Sequence, residues 1–209
     1  MLIKVVRIDR AGERPIAPLY LWGRSVDHLR QAQRSRVNSP SKEAEMRGQV
    51  TPRRGPVAAV ILAGGGGSRF GARQNKVYLP LAGRSVISWS LSTFAAIPEV
   101  GPVVLVIRPQ DRGLAEHVLD REVGHIGVEL VSGGASRQES ELAALRWLAD
   151  RIRTGQVEIV LIHDGARPLV TRALAVAVIR AAREAGGAVP GLVRDDLAEV
   201  NAAGVLASA

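Results

Sequence analysis

A glycine-rich loop that carries two cations is the part of the sequence best suited to chemistry. The apolar run Val57–Leu62 leads directly into Ala63 and four consecutive glycines. Glycines that follow a strand allow backbone N–H groups to approach phosphate oxygens closely. Arg69 lies within the loop and Lys76 follows seven residues later, and two such cations can offset the charge that develops during phosphoryl or nucleotidyl transfer. The loop is therefore predicted to bind a triphosphate.

Two common nucleotide-binding motifs do not fit this loop. A Walker A motif requires Lys and then Ser or Thr after its second glycine, but Gly71 is followed by Ala and Arg. A dinucleotide-binding turn requires a third glycine where Arg69 or Phe70 stands. It also requires an acidic residue about 20 positions further on, and the neighbourhood of Trp89 has none. The loop is thus neither an ordinary P-loop nor a turn for NAD.

A second pair of glycines lies where a strand is predicted to give way to a helix. Gly133 and Gly134 precede Ser136, and Glu139 three residues after that serine has the spacing of a capping box. Ser140 lies one turn further along the same helix face. We expect Ser136 to cap the helix, while the glycine turn and Ser140 contact a ligand.

Asp164 is a third candidate because it ends another apolar strand. A carboxylate at such a position is costly unless it is paired or bound to a metal. Magnesium ligation and an ion pair with Arg167 both meet this requirement, and the sequence leaves the two open. His163 is interpreted as a structural hydrogen-bonding residue rather than a catalyst.

The elements that position these residues alternate between apolar runs and helical stretches. Short, nearly continuous apolar strands separated by helices predict a doubly wound α/β fold, in which helices cover both faces of a mostly parallel sheet. Ligands of such folds bind outside the carboxyl ends of the strands, where all three candidate segments lie. The predicted strands are Val57–Leu62, Val103–Ile107, Gly127–Val131, Glu158–His163 and Gly187–Pro190, and the predicted helices are Ser85–Ala96, Asp111–Asp120, Ser136–Asp150 and Thr171–Ala185.

Together the three segments resemble the sugar-phosphate nucleotidyltransferases and are most similar to the 2-C-methyl-D-erythritol 4-phosphate cytidylyltransferase family. The resemblance rests on LAGGGGSRFGARQNKVYLPLAGRSVISWSL, VSGGASRQES and LIHDGARP, and it covers about residues 57–197. It implies a Rossmann-like nucleotidyltransferase fold. It also implies transfer of CMP from CTP to 2-C-methyl-D-erythritol 4-phosphate with release of pyrophosphate, a step of isoprenoid biosynthesis by the non-mevalonate pathway.

The resemblance implies a role for each candidate residue. Arg69 and Lys76 are expected to stabilise the pentavalent α-phosphorus, with Mg²⁺ as a further cation and Asp164 as its ligand. Arg167 and Asp195 are expected to contact the second substrate. The expected nucleotide-binding residues are Ala63, Gly64, Gly65, Gly66, Gly67, Ser68, Gly133, Gly134, Ser140, Asp164 and Gly165.

Two stretches depart from the family pattern. Asn75 stands before the lysine, where the family usually has proline. The family also has an Asp-Thr-hydrophobic-Lys stretch that helps to bind the acceptor phosphate, whereas residues 195–198 read Asp-Asp-Leu-Ala. An added carboxylate and a lost cation disfavour an anionic acceptor. The alternatives are therefore a cytidylyltransferase for another polyol phosphate, such as ribitol 5-phosphate, and a catalytically silent nucleotide-binding protein.

Charge separates a basic N-terminal part from a nearly neutral body. Residues 1–55 carry 12 Lys/Arg and 5 Asp/Glu, a net charge of +7, and residues 56–209 carry 16 and 15, a net charge of +1. We interpret residues 1–55 as a basic, disordered extension, with Met46 as a candidate natural start. Residues 56–209 are interpreted as a nucleotidyltransferase domain that lacks the family's C-terminal part. A homodimer is expected for the complete family fold and is doubtful for this chain.

Composition also limits the partners and the location. The chain has no cysteine, which fits a reducing cytoplasm, and its longest apolar run is too short to span a bilayer. Aromatic residues make up 3% of the chain, too few to suggest stacking platforms for single-stranded nucleic acid. We expect a cytoplasmic protein whose partners are CTP and a polyol phosphate, with no membrane and no nucleic acid among them.

Overall fold

The central sheet confirms the predicted fold class. The computed structural model describes residues 3–7, 55–65 and 75–191 of the chain. Within these residues the strands are β1 (Ile3–Arg7), β2 (Val57–Leu62), β3 (Pro80–Leu81), β4 (Arg84–Ser85), β5 (Val100–Ile107), β6 (Val128–Ser132), β7 (Ile159–Asp164) and β8 (Gly187–Ala188). Six of them form a mixed sheet in the order β6-β5-β2-β7-β1-β8. Neighbouring strands in the run β6-β5-β2-β7 are parallel to each other, and β3 pairs with β4 in a separate hairpin.

Helices cover both faces of this sheet, as the alternation of patterns predicts. The described helices are α1 (Val86–Ala95), α2 (Arg112–Glu122), α3 (Arg137–Trp147), α4 (Ala149–Arg153) and α5 (Arg172–Ala185). Buried residues of α1, α2 and α5 belong to one core cluster, and those of α3 belong to the other. The predicted helix Ser136–Asp150 thus ends earlier, and the short helix α4 follows it. No helix in the described part of the chain is long and apolar enough to cross a membrane.

The middle strands are apolar throughout because both of their faces are covered. Every residue of β2 and of β5 is buried. Along β2, Ala59 and Ile61 join one core cluster, while Ala58 and Val60 join the other. This alternation is the side-chain period of a strand, and it fixes which face each residue packs against. Burial on both faces leaves only the strand ends able to reach a ligand.

Strand β1 corrects the prediction that residues 1–55 form a disordered extension. Residues 3–7 pair antiparallel with β7 and with β8, and they lie between these two strands in the sheet. Ile3 and Val5 are buried in the core, whereas Lys4 and Val6 are less buried. Five residues are too few to show a sustained period in the sequence, and their partners lie more than 150 positions away. Residues 8–54 lie outside the described part of the chain.

The last strand is shorter than predicted. Residues 187 and 188 form β8, whereas the sequence predicts a strand up to Pro190. Gly186 caps the C-terminus of helix α5, and its φ of 80° is favourable for glycine. The N–H of Arg7 donates to the carbonyl of Gly186 at 2.9 Å, so β1 also fixes the turn between α5 and β8.

Candidate active site

The three candidate segments meet in one cleft at the carboxyl ends of β2, β6 and β7, as predicted for a doubly wound fold. The cleft has a volume of about 620 Å³. The predicted site residues in its lining are Gly64, Gly65, Lys76, Gly134, Ser140, Asp164 and Arg167. Residues that are far apart in the sequence are thus brought together around one space large enough for a small-molecule ligand.

The end of β2 leads the glycine-rich loop into this cleft. Ala63 is fully buried, and its N–H donates to the carbonyl of Val106 at 2.7 Å. Gly64 follows it, and a Cβ on Gly64 would lie 3.5 Å from the hydroxyl of Ser140. The start of the loop therefore faces the first turn of α3 across the cleft.

The second glycine pair closes tightly around Ser140. The Gly134 N–H donates to Ser140 Oγ at 3.2 Å, and this hydroxyl donates to the carbonyl of Ser136 at 3.0 Å. A Cβ on Gly133 would lie only 2.7 Å from the same hydroxyl, and a Cβ on Gly134 would lie 2.3 Å from the Glu139 side chain. Glycine is needed at both positions for lack of space. Because the Ser140 hydroxyl is engaged within the protein, its first role in the structure is to shape the turn.

The predicted capping box at the start of α3 is confirmed. Ser136 Oγ accepts from the N–H of Glu139 at 3.1 Å. The carboxylate of Glu139 accepts in return from the N–H of Ser136 at 3.4 Å and from that of Ala135 at 2.7 Å. The cap fixes the direction in which α3 leaves the glycine turn.

Asp164 is held by two arginines. Its Oδ1 accepts from Arg137 Nη2 at 3.0 Å, and its Oδ2 accepts from Arg167 Nε at 3.1 Å. The ion pair with Arg167 that the sequence left open is thus formed, and Arg137 is a second partner. The side chain of Asp164 is 25% exposed, so it can be reached from the cleft. A carboxylate oxygen has more than one lone pair, so these contacts leave Asp164 able to accept further partners.

Arg137 also binds a second carboxylate beneath the cleft. Its Nη1 lies 2.7 Å from Glu141 Oε1, and the Glu141 side chain is only 4% exposed. One guanidinium therefore joins a buried carboxylate to the partly exposed carboxylate of Asp164. Removal of Arg137 would leave Glu141 charged and unpaired in a buried place, which is costly.

Lys76 reaches the opposite side of the cleft from a short turn. Residues Lys76–Tyr78 form a 3-10 helix in which Val77 and Tyr78 are buried while Lys76 is exposed. No ion pair joins the Lys76 ammonium group to another residue of the described part of the chain. This arrangement presents a lysine charge to a ligand in the cleft.

His163 supports the site from the core, as predicted. It is fully buried at the end of β7, and its ring packs edge-on against Phe94 with ring centres 5.0 Å apart. Its Nε2 lies 3.1 Å from the carbonyl of Arg167, which can only accept, so Nε2 carries the proton. Burial lowers the pKa of His163 to about 4, which keeps the ring neutral near pH 7. The ring thus holds the chain that follows Asp164.

The charges of the cleft suit an anion. Lys76, Arg137 and Arg167 line it together with one carboxylate, that of Asp164. No group of three or more metal-binding side chains occurs among the described residues. Mg²⁺ is commonly held by one or two carboxylates together with substrate phosphates. Asp164 fits such a shared site, in which phosphate oxygens supply most of the ligands.

Several predicted residues fall outside the lining or outside the described chain. Ala63 and Gly133 lie behind the lining, and Gly165 is buried where a Cβ would lie 2.5 Å from Ile87. The N–H of Gly165 is also used, because it donates to the carbonyl of Leu62 at 2.9 Å. The predicted residues outside the described ranges are Gly66, Gly67, Ser68, Arg69 and Asp195.

Sequence reasoning assigned no role to three residues of the site. Arg137 and Glu141 are four apart on α3, a spacing that signals an ion pair, but their link to Asp164 joins this helix to the end of β7. Asn75 is 1% exposed although it is polar and precedes an exposed lysine. Its burial and its hydrogen bonds become apparent only in the folded structure.

Comparison with known proteins points to one family. A family model described as 2-C-methyl-D-erythritol 4-phosphate cytidylyltransferase matches residues 57–209. The protein of that name from Cereibacter sphaeroides (strain KD131 / KCTC 12085) is 44% identical over 139 residues, which cover 66% of this chain and 59% of the relative. The bifunctional enzyme IspD/IspF of Rhodospirillum rubrum is 41% identical over 153 residues, which cover 72% of this chain and 38% of the relative.

A solved structure agrees with this similarity. The 4-diphosphocytidyl-2C-methyl-D-erythritol synthase of Anaerococcus prevotii DSM 20548 has 29% sequence identity and a TM-score of 0.50. The match covers 62% of this chain and 52% of that chain. The present chain thus spans between about half and three fifths of the length of such single-function relatives.

Proposed function

The chain belongs to the 2-C-methyl-D-erythritol 4-phosphate cytidylyltransferase family, and we propose that it transfers CMP from CTP to 2-C-methyl-D-erythritol 4-phosphate. The observation that carries this proposal is the cleft, in which three family segments contribute three cations and one carboxylate around a glycine-lined space. We further propose that the reaction takes place in the cytoplasm, where nucleoside triphosphates are available.

The proposed reaction is a direct displacement at phosphorus. An oxygen of the acceptor phosphate forms a bond to the α-phosphorus of CTP, the bond from that phosphorus to the α–β bridging oxygen breaks, and pyrophosphate leaves. The acceptor oxygen is already anionic near neutral pH, so no general base is required. The protein acts by aligning the reactants and offsetting negative charge.

Lys76 is the described residue best placed to offset this charge. Its ammonium lines the cleft on the side where the glycine-rich loop begins, and we assign it to the phosphates of CTP. Arg69 has the same assignment from the sequence but lies outside the described residues. Because these charges act most strongly when charge develops, their effect should fall on turnover more than on binding.

The glycine turn before α3 is assigned to the cytosine and ribose. Gly134, Ala135 and Ser136 line the cleft, and the Ser140 hydroxyl holds the turn in shape. Hydrogen bonds from fixed main-chain groups can distinguish the amine and carbonyl of cytosine from the groups of other bases. Ser140 therefore contributes to base selection through the turn it supports.

Asp164 and its arginines are assigned to the metal and to phosphate. Mg²⁺ bound to phosphate oxygens and to Asp164 would neutralise charge on the triphosphate and orient it. Arg167 and Arg137 then bind anionic groups near the same carboxylate, with Arg167 assigned to the acceptor phosphate. This assignment uses the contacts that already join all three side chains.

A silent nucleotide-binding protein is the second candidate, and residues 195–198 favour it. They read Asp-Asp-Leu-Ala, which adds a carboxylate and lacks the cation in the stretch that is expected to bind an anionic acceptor. A different polyol phosphate, such as ribitol 5-phosphate, is the corresponding alternative for an active enzyme. Both alternatives keep the nucleotide part of the proposal and differ from it only in the step after CTP binding.

Two measurements on the full chain test these proposals. Calorimetry with Mg²⁺ should detect CTP binding that is tighter than binding of ATP, GTP or UTP. Pyrophosphate release should then be measured with CTP and either 2-C-methyl-D-erythritol 4-phosphate or ribitol 5-phosphate. Release with the first acceptor supports the proposed reaction, and release only with the second changes the acceptor. CTP binding without any release identifies a silent nucleotide-binding protein, and the absence of CTP binding overturns the proposal.

A further inference from the structure

Asn75 is a buried polar residue beside the proposed catalytic lysine. Its side chain uses all of its strong hydrogen-bonding groups. Nδ2 donates to the carbonyl of Ala63 at 2.7 Å and to Asp111 Oδ2 at 3.0 Å, while Oδ1 accepts from the N–H of Val77 at 3.4 Å. With 1% of its surface exposed, Asn75 makes these contacts away from solvent. Buried hydrogen bonds of this kind hold their partners in fixed positions.

The three contacts join different parts of the fold. Ala63 follows β2 at the start of the glycine-rich loop, and Val77 lies in the turn that carries Lys76. Asp111 ends the short 3-10 segment after β5. One amide therefore connects the end of β2, the lysine turn and the end of β5.

Asp111 is itself a fixed partner. Arg108 binds it through two contacts, from Nε to Oδ2 at 2.7 Å and from Nη2 to Oδ1 at 2.9 Å. Burial alone would raise the pKa of Asp111, but hydrogen bonds from Arg108 and Asn75 and the charge of Arg108 lower it below its usual value. The carboxylate is therefore ionised at neutral pH and provides a strong acceptor for Asn75.

Among the described residues, the other hydrogen bonds of the lysine turn do not reach β2. Its own main-chain bonds, from Tyr78 N–H to the Asn75 carbonyl at 3.0 Å and from Leu79 N–H to the Lys76 carbonyl at 3.2 Å, are local. Burial of Val77 and Tyr78 holds the turn against the core. Within the described residues, the bond from Asn75 to Ala63 is a direct polar contact between the lysine turn and the end of β2, and it limits the distance between them.

We propose that Asn75, held by Asp111 and Arg108, is a positioning residue that places the Lys76 ammonium against the phosphate side of the cleft. The proposal rests on the proposed function, because it assigns Asn75 an effect on catalysis through Lys76. Asn75 borders the cleft, but its amide groups are engaged by Ala63, Asp111 and Val77, so we assign it no direct role in binding the nucleotide. Its loss should leave binding of the base intact and should reduce the contact of Lys76 with phosphate.

Lysine footprinting tests this proposal without requiring turnover. The full chain is treated with an acetylating reagent, with and without CTP and Mg²⁺, and modification of Lys76 is measured by mass spectrometry. CTP should protect Lys76 strongly in the unchanged protein and much less in Asn75→Ala. Equal protection of Lys76 in the two proteins would overturn the proposal. No protection in the unchanged protein, despite CTP binding, would instead overturn the assignment of Lys76 to phosphate.

A kinetic cycle gives the second readout. Asn75→Ala should lower kcat by about ten- to a hundredfold, as expected for a misplaced catalytic group, with little change in KM for CTP. In the background of Lys76→Ala the same change should have almost no further effect on kcat. If the two losses instead multiply, Asn75 acts independently of Lys76 and the proposal is wrong.

Two further variants serve as controls in these experiments. Asp111→Asn keeps the shape of the partner but removes its charge, and it should give a smaller loss of Lys76 protection in the same direction. Asp150→Ala removes the exposed ion pair with Arg153, which has the same sequence spacing as Arg108–Asp111 but lies within α4 and outside the cleft lining. It should change neither protection nor kcat. Thermal melting of each variant identifies any protein that is not folded.

Discussion

The two sides of the cleft hold their cations in opposite ways. On the β2 side, Lys76 is placed by its neighbours, and its own charge has no ion-pair partner in the described part of the chain. On the β6–β7 side, Arg137 and Arg167 are placed by their own charged groups, which bind Asp164 and Glu141. Lys76 can therefore bind a phosphate without giving up an ion pair with any described residue. On the second side, Arg137, Arg167 and Asp164 must share or exchange their ion-pair partners when an anion or a metal binds. Ligand binding there therefore changes contacts that also hold the protein together.

The largest expected effect is that of removing the Lys76 ammonium group. Lys76→Ala should lower turnover by about 100- to 1000-fold, the range observed when one preorganised charge-stabilising group is lost, with a much smaller change in CTP affinity. Pyrophosphate release and calorimetry measure the two quantities. Arg146→Ala, which removes an exposed cation of α3 away from the cleft lining, is the control. A Lys76→Ala protein with normal turnover would remove the contrast between the two sides.

The next prediction tests whether the ion pairs on the β6–β7 side of the cleft stabilise the folded chain. Arg137→Ala should reduce the free energy of unfolding by about 2 kcal/mol, because it leaves the buried Glu141 carboxylate unpaired; the figure lies below the range for fully buried pairs since Arg137 is 43% exposed. Glu141→Leu in the same protein should restore most of the loss, because the uncompensated charge is gone. Urea unfolding measures both. If Arg137→Ala is as stable as the unchanged protein, Glu141 does not depend on this arginine.

Acid should lower the stability of the folded chain on the β6–β7 side of the cleft, through protonation of His163. Burial lowers the pKa of this residue to about 4 in the folded chain, against about 6.5 when unfolded. Between these values the unfolded chain binds one more proton, so stability is full above pH 6.5 and falls as the pH drops toward 4. The slope is at most about 1.4 kcal/mol per pH unit. His163→Gln should lose less stability between pH 7 and pH 5 than the unchanged protein, as measured by urea unfolding at both values. An equal loss would place the acid sensitivity elsewhere.

The smallest effect concerns the shared carboxylate. Without Mg²⁺, Asp164→Asn should bind CTP about fivefold more tightly, because one negative charge near the triphosphate is removed and two arginines are released. With Mg²⁺ this gain should disappear, because the proposed protein ligand of the metal is lost as well. Calorimetry with Mg²⁺ and with EDTA measures both conditions. Tighter binding in both would show that Asp164 serves only as a partner for the arginines.

The sequence predicted the parts of the fold that depend on nearby residues. The apolar run of β2 and the serine that caps α3 are both local signals, and the structure confirms them. The convergence of Gly64, Ser140 and Asp164 also followed from the rule that ligands lie at the carboxyl ends of parallel strands. These features need no knowledge of which distant side chains meet.

Features that depend on distant partners could not be predicted in the same way. The role of Asn75 follows from contacts with Ala63 and Asp111, and nothing in its own neighbourhood marks it as buried. Arg137 could be paired with Glu141 from helix spacing, but its contact with Asp164 depends on the relative position of β6 and β7. The strand β1 was missed because Ile3 and Val5 gain their significance only from strands near the other end of the chain.

The position of β1 has a consequence for how the chain folds during synthesis. Val5 is made 183 residues before its partner Ala188. At a typical rate of about 5–20 residues per second, roughly 10–40 s pass before both have left the ribosome. For most of that time β7 and β8 have not been made, so β1 has no strand to pair with and its apolar residues Ile3 and Val5 are exposed. The nascent chain therefore passes through a stage at which another strand could pair with β1, and a chaperone bound to this segment would shield it until β7 is made.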